Sequence, residues 1–171
     1  STGAQLSAWS VKESARQLSL AARAERCAAL CGAGRVEVFS LTDPAAPAVV
    51  FTSSGANYQA IFSPDGSLVL TGSSSGTITL WDTVRWAQVA TLRGHGGDIR
   101  SAAFSPDGTL IVTASSDLTA RIWDARVTFG APLLEGHQGA VTDVVFSPDG
   151  SLIATASSDG NPRLWATDGA R

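Results

Sequence analysis

The 171-residue sequence contains no methionine, one tyrosine, a single lysine (Lys12), two histidines and two cysteines. Two cysteines cannot build the framework of bridges that holds small secreted domains together. Basic residues are also few, 12 against 15 acidic ones, for a net charge of −3. Domains that grip nucleic acid through its phosphates carry the opposite balance, so no nucleic-acid partner is expected. No apolar run approaches the roughly 18 residues of a membrane-crossing helix, and no membrane partner is expected. The N-terminus lacks the charged-then-apolar pattern of a secretory signal. Together with the free cysteines, this predicts a cytoplasmic chain. Position 1 is serine, from which we expect a processed or excised segment of something longer. Helical periodicity is missing as well, because no window places apolar residues on one helical stripe over a useful length.

What is present is a repeat. The hydrophobic fraction is 44% and the charged fraction 16%, enough to bury a core. F-S-P-D-G begins at Phe62, Phe104 and Phe146, at intervals of 42 residues. Trp81, Trp123 and Trp165 keep the same interval, as do His95 and His137. Of the 21 positions from Phe104 to Asp124, 14 are identical in the stretch from Phe146 to Ala166. One interval before Trp81 lies Phe39, at the end of Gly34–Phe39, with Leu20 in the place of the F-S-P-D-G phenylalanine. Four units therefore fill the chain, ending near Phe39, Trp81, Trp123 and Trp165, and the first is eroded. Within each unit, short β-branched runs alternate with Pro-Asp-Gly and Ser-Asp-Gly turns, which predicts four short strands per repeat. Such spacing is the pattern of a β-propeller blade.

Gly-His at 94–95 and 136–137, F-S-P-D-G, S-S-D, and strands ending Trp81-Asp82, Trp123-Asp124 and Trp165-Ala166 resemble the WD-repeat family of β-propellers. The resemblance covers about three quarters of the chain strongly. It implies an all-β fold of four four-stranded blades, with residues 1–171 as a single propeller segment. It also implies a hydrogen-bonded network of His, Ser/Thr, Asp and Trp inside each blade. By position these are His95, Thr113, Asp117 and Trp123 in the third repeat, and His137, Thr155, Asp159 and Trp165 in the fourth. The second repeat has Ser53 and Ser75 for His and Asp and keeps only Thr71 and Trp81. The first has Val11, Ala29, Ala33 and Phe39. The network is thus expected in two blades and not in the other two.

Ser, His and Asp in one chain also raise a hydrolase reading, with an oriented histidine activating a hydroxyl. The constellation recurs once per repeat, as a structural device does, so no catalytic residue and no enzymatic activity is expected. Cys27 and Cys31 have half the spacing of a zinc site. They stand where other repeats have Val69, Ile111 and Ile153, and Ser73, Ser115 and Ser157. No second pair completes a tetrahedron, so free buried thiols are expected, with no metal and no cofactor. Two positions break the pattern. Leu118 replaces the turn glycine of Gly76 and Gly160, at a cost if its φ is positive. Pro162 opens a third strand, where it cannot donate to the ladder.

The family resemblance implies a non-catalytic scaffold for a protein or peptide partner, bound where the blade-joining loops meet the central channel. The corresponding positions are Asp98, Arg100 and Ser116; Ala140, Thr142 and Ser158; and Ala56, Tyr58 and Ser74. Asp98, Arg100 and Tyr58 have the chemistry of interface anchors. The alternative is a regulatory or sensory C-terminal module of a larger bacterial signalling protein, a kinase or signalling ATPase. Gly3–Leu6 resembles Gly130–Leu133, which predicts an N-terminal strand near 3–10 that closes a last blade. Four blades are half the number of an eight-bladed ring, so two chains joined head-to-tail are expected. Missing blades on another chain, or a four-bladed ring, are the other solutions.

Overall fold

The computed structural model describes residues 14–167, apart from 22–23, 32–33, 44, 47, 53–56 and 127–131. The predicted N-terminal strand near 3–10 therefore lies outside the described residues, as do Val11, Ala33, Ser53 and Ala56. Among the described residues, fifteen strands form four antiparallel sheets. The first sheet comprises β1 (Gln17–Ala21), β2 (Arg26–Leu30), β3 (Arg35–Ser40) and β4 (Val49–Thr52). The second comprises β5 (Asn57–Phe62), β6 (Leu68–Ser73), β7 (Thr77–Asp82) and β8 (Gln88–Arg93). The third comprises β9 (Ile99–Phe104), β10 (Leu110–Ser115), β11 (Ala120–Asp124) and β12 (Leu133–Leu134). The fourth comprises β13 (Val141–Phe146), β14 (Leu152–Ser157) and β15 (Arg163–Ala166).

Three sheets have four strands, and the fourth has three among the described residues. The reason is an offset between repeat and sheet. Strands β4, β8 and β12 belong by sequence to the unit that follows, yet each pairs with the third strand of the preceding sheet. A sheet therefore receives its fourth strand from the next repeat.

The 42-residue interval holds in the hydrogen-bond register. Phe62 opposes Val69, Phe104 opposes Ile111 and Phe146 opposes Ile153. In the eroded repeat, Leu20 opposes Cys27, and Cys27 opposes Phe39 as Val69 opposes Trp81. The turn joining first and second strands is locked from within. The Ser63 hydroxyl donates to Asp65 Oδ1 at 2.6 Å, and the same aspartate accepts the Ser67 N–H at 3.0 Å. Ser105 and Asp107 repeat this contact at 2.6 Å. Pro162 precedes β15 and so removes no bond from it.

The sheets stand in a row, each packing its inner strand against the next: β1 on β5, β5 on β9, β9 on β13. Among the described residues the row is open, with no corresponding packing of β13 on β1. Apolar seams fill the gaps. Leu70, Ile78, Leu80 and Leu92 of the second sheet meet Ile99, Ala102, Ile111 and Trp123 of the third. Phe51 lies 4.7 Å from Trp81 between the first two sheets. A side chain of this size contributes about 1.5–3 kcal/mol when removed from water, so the seams dominate the stability of the row.

Candidate functional site

His95 lies between the second and third sheets' strands, in the loop from β8 to β9, and Asp117 in the turn from β10 to β11. Antiparallel pairing brings loop and turn to the same edge of the sheet. Asp117 Oδ2 accepts from His95 Nδ1 at 2.9 Å and from the Gly96 N–H at 2.9 Å. His95 Nε2 lies 2.8 Å from Thr113 Oγ1, which accepts the Trp123 indole N–H at 2.9 Å. The protons can be assigned. The ionised carboxylate accepts only, so the neutral imidazole carries its hydrogen on Nδ1, and His95 Nε2 accepts the Thr113 hydroxyl, whose oxygen accepts the Trp123 indole N–H. The Nδ1–H then points at the carboxylate. His137, Asp159, Thr155 and Trp165 repeat the geometry at 2.9, 2.8 and 2.9 Å.

Several members of the site were missing from the sequence reading. Thr119 donates its hydroxyl to Asp117 Oδ1 at 2.6 Å and its N–H at 3.1 Å. In the fourth repeat its counterpart Asn161 donates its N–H to Asp159 Oδ1 at 2.8 Å, and its side-chain amide donates to the Asp159 carbonyl at 3.3 Å and not to the carboxylate. Arg163 Nη2 donates to the Gly136 carbonyl at 2.9 Å and holds the Gly-His turn. The signal for Thr119 was its place two residues after a turn aspartate, where an Asx turn places a donor.

The second sheet keeps part of the network, since the Trp81 indole donates to Thr71 Oγ1 at 3.1 Å. Ser75 turns instead to the Ser73 and Thr77 hydroxyls, at 2.8 and 3.1 Å. In the first sheet, Ala29, Cys31 and Phe39 form a buried apolar cluster. Hydrogen bonds are there replaced by packing, an exchange that costs little when both partners change together. Both thiols are buried, and burial pushes the Cys27 thiol up, away from the thiolate a metal requires. Among the described residues no three His, Cys, Asp or Glu side chains lie together as metal ligands.

Asp117···His95···Thr113 has the order of a nucleophilic triad. Its hydroxyl is closed to substrate, because Thr113 is 0% exposed and its hydrogen-bonding capacity is spent on His95 and Trp123. Burial pushes His95 below its ordinary value of 6.5, with the Arg121 guanidinium adding to the shift, against the pull of Asp117. For Asp117, burial works upward, but the bonds from Thr119, Gly96 and His95 outweigh it and hold the carboxyl at about 2. Both groups are lowered, so the unfolded chain binds the extra protons. Their stability is complete above the unfolded values and is lost as pH falls through the folded ones. Urea midpoints are therefore expected to be level above about pH 7. They should fall first below the ordinary histidine value of 6.5, and again below the ordinary aspartate value of 3.8, which are the values in the unfolded chain. A midpoint that rises on acidification from pH 7 to 5 contradicts the assignment of a neutral His95.

The surface positions fall where loops and turns meet. The Asp98 N–H donates to Ser116 Oγ at 2.8 Å, and the Ser116 N–H donates to the Asp98 carbonyl at 3.0 Å. Arg100 Nη2 lies 3.3 Å from Asp98 Oδ2, both partly exposed. Thr142 and Ser158 are exposed beside the fourth sheet's turn, where the Ser158 N–H donates to the Ala140 carbonyl at 2.9 Å. Ser74 is half-buried in the second sheet's turn. Tyr58 falls on β5, and its side chain lies outside the described residues.

Four repeated antiparallel sheets, packed through their inner strands and two of them fastened by an internal Asp–His–Thr–Trp relay, define a repeat protein of propeller type. The family described as WD domain, G-beta repeat matches residues 48–82, 86–124 and 130–166, well over half the chain, and the chain belongs to that family. Each match opens on the outer strand of one sheet and ends in the third strand of the next, in agreement with the offset above. No curated protein matches the chain. Repeats of this family are in general protein-interaction scaffolds.

Proposed function

We propose that the chain is a non-catalytic scaffold for a protein or peptide partner, and that its four sheets are half of an eight-sheet ring made by two copies. Binding uses the edge that carries Asp98, Arg100 and Ser116, with Ser74, Tyr58, Thr142 and Ser158 at the corresponding places of the neighbouring repeats. The observation that carries this reading is the Asp98–Arg100 pair. It is presented to solvent on a backbone tied to Ser116 by two hydrogen bonds. A fixed guanidinium loses little freedom on binding, which is what makes an anchor effective.

A displayed library of random peptides, selected against the chain, tests the proposal. Arg100→Ala should weaken the selected peptide at least about tenfold, the loss expected for an interface anchor. Pro106→Ala, on the opposite turns, should leave its Kd unchanged. Equal affinities for Arg100→Ala and the unaltered chain rule out this edge, and a library that yields no binder counts against the scaffold reading.

A further inference from the structure

In the first three sheets, the face turned toward the following sheet is buried beneath it. On the third sheet this face is Leu110, Val112, Ala114, Ala120 and Ile122, covered by Val141, Val144 and Ile153 of the fourth. Among the described residues nothing covers the corresponding face of the fourth sheet, with Leu164 71%, Val145 51% and Leu152 40% exposed. It contains a groove of about 170 Å³ lined by Asp143, Val145, Ala154, Ala156 and Pro162 among others. At the other end of the row, β1 presents Leu18 and Leu20, 65% and 67% exposed. By the repeat interval these two are the counterparts of Val144 and Phe146, which pack onto the preceding sheet in the chain itself.

We infer that Leu18 and Leu20 of a second copy of this chain seat on the free face of β13–β15, with Leu18 in the groove beside Asp143 and Pro162. The inference rests on the two-copy reading above and gives it a defined seam. The volumes complement each other. Where the third seam sets Val112 and Val144 among its packed residues, the new one sets the smaller Ala154 against the larger Leu18. The polar groups match as well. Between the first two sheets, Gln17 Oε1 accepts the Ala60 N–H at 2.8 Å. Asp143 is the counterpart of Gln17, and Leu18 the counterpart of Ala60. The exposed Asp143 carboxylate, which already accepts from Ser101 Oγ at 2.7 Å, stands where it would accept the Leu18 N–H of the second copy. The two faces differ and each copy has one of each, so the contact is head-to-tail and closes with two seams.

The full chain, measured by sedimentation equilibrium at tens of micromolar, should show twice the 17.6 kDa chain mass. Leu18→Glu and Leu164→Glu should each sediment as one chain with an unchanged circular dichroism spectrum, because both sites are exposed within the single chain. Mixing the two variants leaves one unaltered seam and should restore a two-chain species, which neither variant forms alone. A one-chain mass for the unaltered protein overturns both the seam and the ring. A two-chain mass that survives both substitutions, or no recovery on mixing, overturns the seam and leaves the two-copy reading standing.

Discussion

Asp117→Ala is expected to lower the free energy of unfolding by about 3 kcal/mol. One carboxylate satisfies His95 Nδ1, the Gly96 N–H and both donors of Thr119. The His95 side chain is 0% exposed, so its stranded N–H cannot turn to water. A buried donor without a partner costs about 1–3 kcal/mol, and the loosened loop and turn add to it. For a chain of this size the melting temperature should drop by about 6–12 °C in a calorimetric scan. Ser75→Ala, at the corresponding place in the second sheet, should cost less than about 1 kcal/mol, since no histidine depends on it. An Asp117→Ala protein that melts with the unaltered one would show that the relay contributes no stability.

Gly76→Ala is expected to cost about 3 kcal/mol, and Gly160→Ala only about 1. Both glycines have left-handed backbone, with φ of 71° and 82°. That conformation alone is tolerable for a side chain in this turn. Leu118, 42% exposed, adopts it at 72°, so the cost expected of a leucine at positive φ is one that this turn accommodates. What separates the two sites is the neighbour. A β-carbon on Gly76 would stand 2.5 Å from the His95 carbonyl oxygen and 2.8 Å from that of Gly97. These are backbone atoms of the loop that carries the relay histidine, and they cannot step aside without moving it. Around Gly160 nothing lies within 4 Å. Chemical denaturation of the two variants should separate them by about 2 kcal/mol. Equal losses would mean that the backbone conformation, and not the packed loop, sets the cost.

Much of the relay could be read in the sequence because it is local and repeated. His95, Thr113, Asp117 and Trp123 recur at equal spacing in the next repeat, and their bonds need only one sheet and its own turn. Thr119 and Arg163 escaped for different reasons. Asn161 stands in the place of Thr119, so the side-chain contact has no counterpart to reveal it. Arg163 has a counterpart in Arg121 one interval earlier, so the repeat marks the residue, but nothing in the residue type points to the Gly136 carbonyl as its partner. In the second sheet the Trp81–Thr71 bond persists without the histidine, because an indole and a hydroxyl on paired strands meet whether or not the loop above supplies an imidazole.

The amino-acid sequence by itself determined the period, the strand content, the register and the family, since each depends on side-chain alternation and turn chemistry within about 40 residues. The tertiary structure alone decided which of these near-identical strands is inside. Strands β10 and β14 read LIVTAS and LIATAS, differing at one residue. Every residue of β10 is buried, whereas β14 buries only alternate positions, Ile153 and Thr155. The difference comes from position in the row: β10 has a sheet on both sides, and β14 has one on a single side. Burial is a property of what lies opposite, and a repeated sequence cannot encode which of its copies stands at the end.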